Sequence, residues 1–121
     1  MKYHIFHADT WLEKLGNGTE EARFRLQSAL KEAFPYALGM FEAGDFEEEL
    51  IKENIFIGEE KLKEQWLESI GSVLEKANLS LTDVHSATPI NGGRKGYHSE
   101  YLAPLVTEMT EVYRIDANAE W

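Results

Sequence analysis

Gly92-Gly93-Arg94-Lys95-Gly96-Tyr97-His98-Ser99-Glu100 is a glycine-rich basic stretch that runs directly into Leu102, Leu105, Val106, Met109 and Val112. Those apolar residues recur at helical spacing, so the stretch reads as a turn opening an amphipathic helix. Ser99 is the candidate N-cap, and Pro104 marks the first helical turn or a slight kink. Trp121 at the end of the chain predicts a docked terminus, because chain ends fray unless something holds them.

The same periodicity covers the rest of the chain. Ile5, Ala8, Leu12 and Leu15 form one stripe, with Gly16 and Gly18 placed to end that helix in a left-handed turn. Thr19 caps the next helix, with Glu20 and Glu21 favourable to its dipole. Ala22, Leu26, Ala29, Ala33 and Ala37 are the predicted buried stripe there, flanked by Leu30, Phe34 and Phe41. Pro35 predicts a kink, since it lacks an N–H and crowds the carbonyl of Lys31. Gly44 closes the helix, and Asp45 with Glu48 resembles a capping box for a short helix through Leu50 and Ile51. Ile55-Phe56-Ile57-Gly58 reads as a buried turn or a brief extended piece. Leu62, Trp66, Ile70, Val73 and Ala77 mark the clearest helix, and 78–98 is irregular. The expectation is one all-α unit spanning 1–121.

Composition narrows the function. The 121 residues carry a formal charge of −10, and 42–68 alone holds ten acidic against three basic residues. Such a surface repels a phosphate backbone, so nucleic acid is not an expected partner. Most of these carboxylates are read as solvated helix faces. The absence of cysteine excludes disulfide and thiolate chemistry and suits a reducing cytoplasm. No apolar run approaches the roughly 20 residues that span a bilayer, so no membrane partner is expected.

Two places invite a chemical reading. His4 and His7 lie one turn apart with Trp11 on the same face, but Asp9 is off that face, so no local carboxylate completes a ligand set. Gly92, Gly93, Arg94, Lys95 and Gly96 could cradle an anion with backbone N–H groups and two cations, or could serve as a connector that touches a partner. His98, Ser99 and Glu100 are consecutive and diverge by about 100° each on a helix, so they do not form a catalytic triad, and no catalytic residue is assigned.

The C-terminal run resembles that of the phenylacetic acid catabolic protein family, which ends in a Gly-Gly-Lys/Arg-Lys-Gly-x-His-Thr/Ser-Glu-His-Leu run, a Leu-x-Glu-Met segment and a final Trp. Tyr3-His4, Asp9, Trp11-Leu12, Leu15-Gly16 and Gly18-Thr19-Glu20 are similar to the family's Tyr-His…Asp-Trp…Leu-Gly-Asp-Gly-Thr-Glu stretch. Within the family the likeness is to the C-subunit branch of phenylacetyl-CoA epoxidase. The resemblance implies the C-terminal half of a ferritin-like subunit, since family members are about twice this long. It implies a non-catalytic structural subunit of a multicomponent monooxygenase, with iron in the catalytic A subunit, its partner, and none in this chain. His4 matches a ligand-motif histidine whose glutamate would lie upstream of Met1. A half-bundle leaves apolar faces open, so a homo-oligomer is expected of the isolated chain. Two other readings stand beside this one: a stand-alone helical interaction module, and a di-iron protein completed by residues before Met1.

Overall fold

The computed structural model describes residues 1–82 and 86–118, so Trp121, expected to dock, lies outside the described residues. Among these there is helix and no strand, as expected. The chain forms two compact units, Met1–Asn91 and Gly92–Trp121. The first holds α1 (Lys2–Gly16), α2 (Glu20–Leu38), a 3-10 turn (Gly39–Phe41), α3 (Glu47–Lys52) and α4 (Glu59–Lys76). The second holds a 3-10 turn (Gly93–Lys95), α5 (Leu102–Met109) and α6 (Glu111–Ile115).

In the first unit α1 packs on both α2 and α4. One core group joins Phe34 and Leu38 of α2 to Trp66 and Leu67 of α4, with the Phe34 and Trp66 rings 5.8 Å apart. The other joins Leu74, Ala77 and Leu79 to Leu12, Leu26 and Ile70. The α4 stripe is thus where its spacing put it. The α2 stripe holds only in part: Leu26 reaches the core and Ala22 and Ala37 are half-buried, but Ala29 and Ala33 are exposed, and the line turned inward is Leu26, Leu30, Phe34 and Leu38. Burying the larger side chains removes more apolar area from water, at roughly 25 cal/mol per Å². The helix passes through Pro35 to Leu38, and the Pro35 carbonyl accepts the Ile90 N–H at 3.0 Å.

The α1 stripe needs the larger correction. Of its four residues only Leu12 reaches the core, while Ile5, Ala8 and Leu15 are exposed. The side turned to α4 instead carries Asp9, Thr10, Glu13 and Gly16. Gly16 is buried not as a left-handed cap but because a Cβ there would stand 1.9 Å from the Ala77 carbonyl oxygen. Asn17 follows at φ −93° and ties the ends of α1 and α4 together. Its Nδ2 donates to the Glu13 and Lys76 carbonyls, each at 2.9 Å, and its Oδ1 accepts from Asn78 Nδ2. Asn78 at φ 53° ends α4 in a Schellman arrangement: Leu79 N–H bonds the Leu74 carbonyl at 2.9 Å, Asn78 N–H that of Glu75 at 3.0 Å.

Local capping is uneven. Thr19 Oγ1 accepts the Ala22 N–H at 3.1 Å, as its type predicts. Asp45 does not cap α3, which opens after Phe46 with no side-chain bond. Glu47 of that helix reaches forward instead, and its Oε1 accepts the Glu59 N–H at the start of α4 at 2.8 Å. A carboxylate there satisfies one of the orphan donors of the α4 N-terminus. The Ile55–Gly58 segment is less buried than expected: Ile55 is 73% and Ile57 47% exposed.

The second unit also departs from its pattern. The predicted single helix divides at Thr110, whose hydroxyl donates to the Val106 carbonyl at 2.7 Å. That back-bonding competes with the helical ladder and bends helices. Ser99 gives its carbonyl, not its side chain, to the Leu102 N–H. Pro104 is the third residue of α5, where a missing N–H costs nothing. No residue of α5 or α6 is buried.

Candidate functional site

Gly92 at φ 110° and Gly96 at φ 83° bracket the basic 3-10 turn, a backbone path that side chains rarely follow. The Gly92 carbonyl accepts from both Lys95 and Tyr97 N–H at 2.9 Å, and the Gly93 carbonyl accepts from Gly96 N–H at 3.3 Å. The N–H groups of Lys95, Gly96 and Tyr97 are therefore bonded inside the turn. Arg94 and Lys95 are both exposed. The turn presents charge on a short bracket. His98, Ser99 and Glu100 follow, all exposed.

His4 and His7 lie on the first turns of α1 in a row of rings. Tyr3 stacks on His7 at 6.0 Å, His7 meets Trp11 edge-on at 6.3 Å, and Lys14 Nζ lies 5.7 Å from the Trp11 ring centre. Asp9 and Glu13 sit on the other side of the helix, with Val73 and Lys76 of α4, around a groove of about 240 Å³. Among the described residues no three His, Cys, Asp or Glu side chains gather around a common point. A ferric or ferrous ion wants carboxylate oxygen beside imidazole nitrogen, and the His4 face supplies rings in place of oxygens. The described residues by themselves do not fit a di-iron ligand set.

The sequence profile of the phenylacetic acid catabolic protein family matches residues 1–121, the whole chain. The chain belongs to that family. The family's fold is ferritin-like. Over 120 residues this member is 28% identical to the C subunit of 1,2-phenylacetyl-CoA epoxidase of Escherichia coli (strain K12). The match takes in 99% of this chain and 48% of that protein, so the chain spans about half the length of the curated relative it matches. No helix is long and apolar enough to cross a membrane among the described residues of this family member.

The α1 ring row carries no metal-ligand spacing. The spacing of Tyr3, His7, Trp11 and Lys14, by four, four and three, is the signal that carries it.

Proposed function

We propose that this chain is the C-terminal half of a non-catalytic subunit of a monooxygenase that epoxidises the ring of phenylacetyl-CoA in the cytoplasm. In this reading it packs against and shapes the iron-bearing catalytic A subunit, and Arg94 and Lys95 form one of the contacts. The observation that carries the reading is the match to the Escherichia coli epoxidase relative across 99% of this chain. One structural feature supports the division of labour: the carboxylates of α1, Asp9 and Glu13, lie on the side of the helix away from His4. Phenylacetyl-CoA would then be held in the partner, and this chain's own groups would contribute surface and charge.

The first test is assembly. Restored to a full-length subunit, Arg94→Ala with Lys95→Ala is expected to bind the catalytic subunit roughly tenfold more weakly at low salt, the deficit shrinking at high salt. Helical content is expected to stay unchanged, because the turn removes no core. Titration by calorimetry at two salt concentrations, with acyl-CoA affinity of the assembled pair alongside, reads both roles. Intact assembly with weaker acyl-CoA binding would place the turn in the substrate site.

The second test is metal. Incubated anaerobically with ferrous iron and desalted, the chain is expected to keep far less than one equivalent, and His4→Ala is expected to change nothing. Near-stoichiometric iron lost on His4→Ala would restore the di-iron reading.

A further inference from the structure

Asn-Gly occurs twice in the chain, at Asn17-Gly18 and at Asn91-Gly92. The pair is chemically weak. Glycine has no side chain to shield its nitrogen, so that nitrogen can attack the neighbouring carboxamide. Both asparagines are exposed, so solvent access does not separate them. What separates them is how each carboxamide is held.

Asn17 is held at three points. Its Nδ2 donates to the Glu13 and Lys76 carbonyls, each at 2.9 Å, and its Oδ1 accepts from Asn78 Nδ2. The Gly18 N–H is engaged as well, donating to the Leu15 carbonyl at 3.3 Å. To reach the Gly18 nitrogen, the carboxamide must break its bonds to the ends of both α1 and α4, and leaving such bonds unmade costs free energy. Asn91 lies instead in irregular backbone. The Ile90 N–H before it is tied to the Pro35 carbonyl at 3.0 Å, and the Gly92 carbonyl after it holds the basic turn. Among the described residues no hydrogen bond holds the Asn91 carboxamide itself.

We propose that Asn91 is a site of spontaneous deamidation and that the fold protects Asn17 from the same reaction. The Gly92 nitrogen gives up its proton and attacks Asn91 Cγ. A Cγ–N bond forms, the Cγ–Nδ2 bond breaks, and the side-chain nitrogen leaves as ammonia with that proton. The resulting succinimide takes up one water at either of its two carbonyls. One opening gives aspartate. The other gives isoaspartate, in which the main chain runs through the former side chain. The net change is one water in and one ammonia out, with no oxidant or reductant.

The products change the basic turn. Either one places a new carboxylate just before Arg94 and Lys95, which lowers the net positive charge of that stretch. Isoaspartate also adds a methylene to the main chain immediately before Gly92, whose φ of 110° opens the turn. A further consequence rests on the function proposed above, in which Arg94 and Lys95 touch the catalytic subunit: the modified chain binds that subunit more weakly, with a deficit that shrinks as salt rises.

The experiment incubates the 121-residue chain, folded and in urea, at mildly alkaline pH and follows the tryptic peptides 15–23 and 77–94 by mass spectrometry. The mass gain of an amide-to-carboxylate exchange is expected in 77–94, assigned to Asn91 by fragmentation and split into two products by reversed-phase chromatography. In the folded chain Asn17 is expected to react at least roughly tenfold more slowly, since its bonds must open first. In urea the two sites are expected to react at similar rates. Asn78→Gly suits φ 53° and removes one of the three bonds, so it is expected to speed Asn17 and leave Asn91 unchanged. Equal rates at the two sites of the folded chain overturn the proposal, as does a folded chain inert at both sites while the unfolded chain reacts. Asn91→Asp in a full-length subunit tests the consequence by the same salt titration as the Arg94 and Lys95 alanines. Full affinity there, with weakened binding by the alanines, overturns the effect on assembly. Full affinity in both overturns the contact itself. The mass readout needs no partner, so its failure leaves the proposed function standing.

Discussion

Replacing Phe34 with alanine is expected to lower the stability of the Met1–Asn91 unit by about 3–5 kcal/mol. Phe34 is 2% exposed and its ring lies 5.8 Å from that of Trp66, so truncation opens a cavity at the meeting of α2 and α4. Domains of this size hold only about 5–15 kcal/mol in total, so the variant sits close to unfolding. Urea titration followed by helical circular dichroism measures it. The informative control is Ala33→Ser, one residue away. The apolar spacing of α2 marks Ala33 as buried, but it is exposed in the fold. Its replacement is expected to stay within about 0.5 kcal/mol, as exposed substitutions do. Equal losses at both sites would mean that α2 turns its alanine stripe inward after all.

The same small substitution at two glycines is expected to give opposite signs. Gly16→Ala is expected to destabilise the unit by about 1–3 kcal/mol, the range for forcing extra volume into a packed contact. The new Cβ would meet the Ala77 carbonyl oxygen at 1.9 Å and the Ala77 carbonyl carbon at 2.8 Å. Backbone at the end of α4 cannot swing aside like a flexible side chain. Gly71→Ala, within α4, has only Leu81 Cδ1 at 3.9 Å, an ordinary contact. There the change is expected to stabilise by about 0.4–1 kcal/mol, through lower entropy of the unfolded chain and better helix propensity. Thermal melts of the two variants side by side decide the matter. A stabilised Gly16→Ala chain would show that α1 and α4 do not approach as closely as the fold has them.

Much of the fold is readable from the letters. Thr19 caps α2 through its own hydroxyl, three residues from the N–H it serves. The α4 stripe from Leu62 to Ala77 and the glycine turn at 92–96 follow from short-range geometry. A local interaction depends on residue types at fixed offsets, and those are printed in the chain.

What stays hidden depends on which neighbour arrives. Periodicity shows that a helix has an apolar side but not which element covers it. In α2 the alanine stripe and the Leu26-Leu30-Phe34-Leu38 line compete, and contact with Trp66 and Leu74 selects the second. In α1 Ile5, Ala8 and Leu15 of the stripe are exposed and only Leu12 reaches the core, while Gly16 lets α4 approach closely. Asn17 joins Lys76 and Asn78 across some sixty positions, and Glu47 reaches the Glu59 N–H across twelve. The basic turn is legible as residues, while the bonding of the Lys95, Gly96 and Tyr97 amides within it is not. Helical class, family membership and the main helix spans are written in the chain, since each rests on local spacing or on motifs carried by the residues themselves. Which faces are buried, which glycine is needed for close approach and which aromatic face of α1 is left open emerge only when the helices pack, because burial is a property of pairs of elements and not of either one alone.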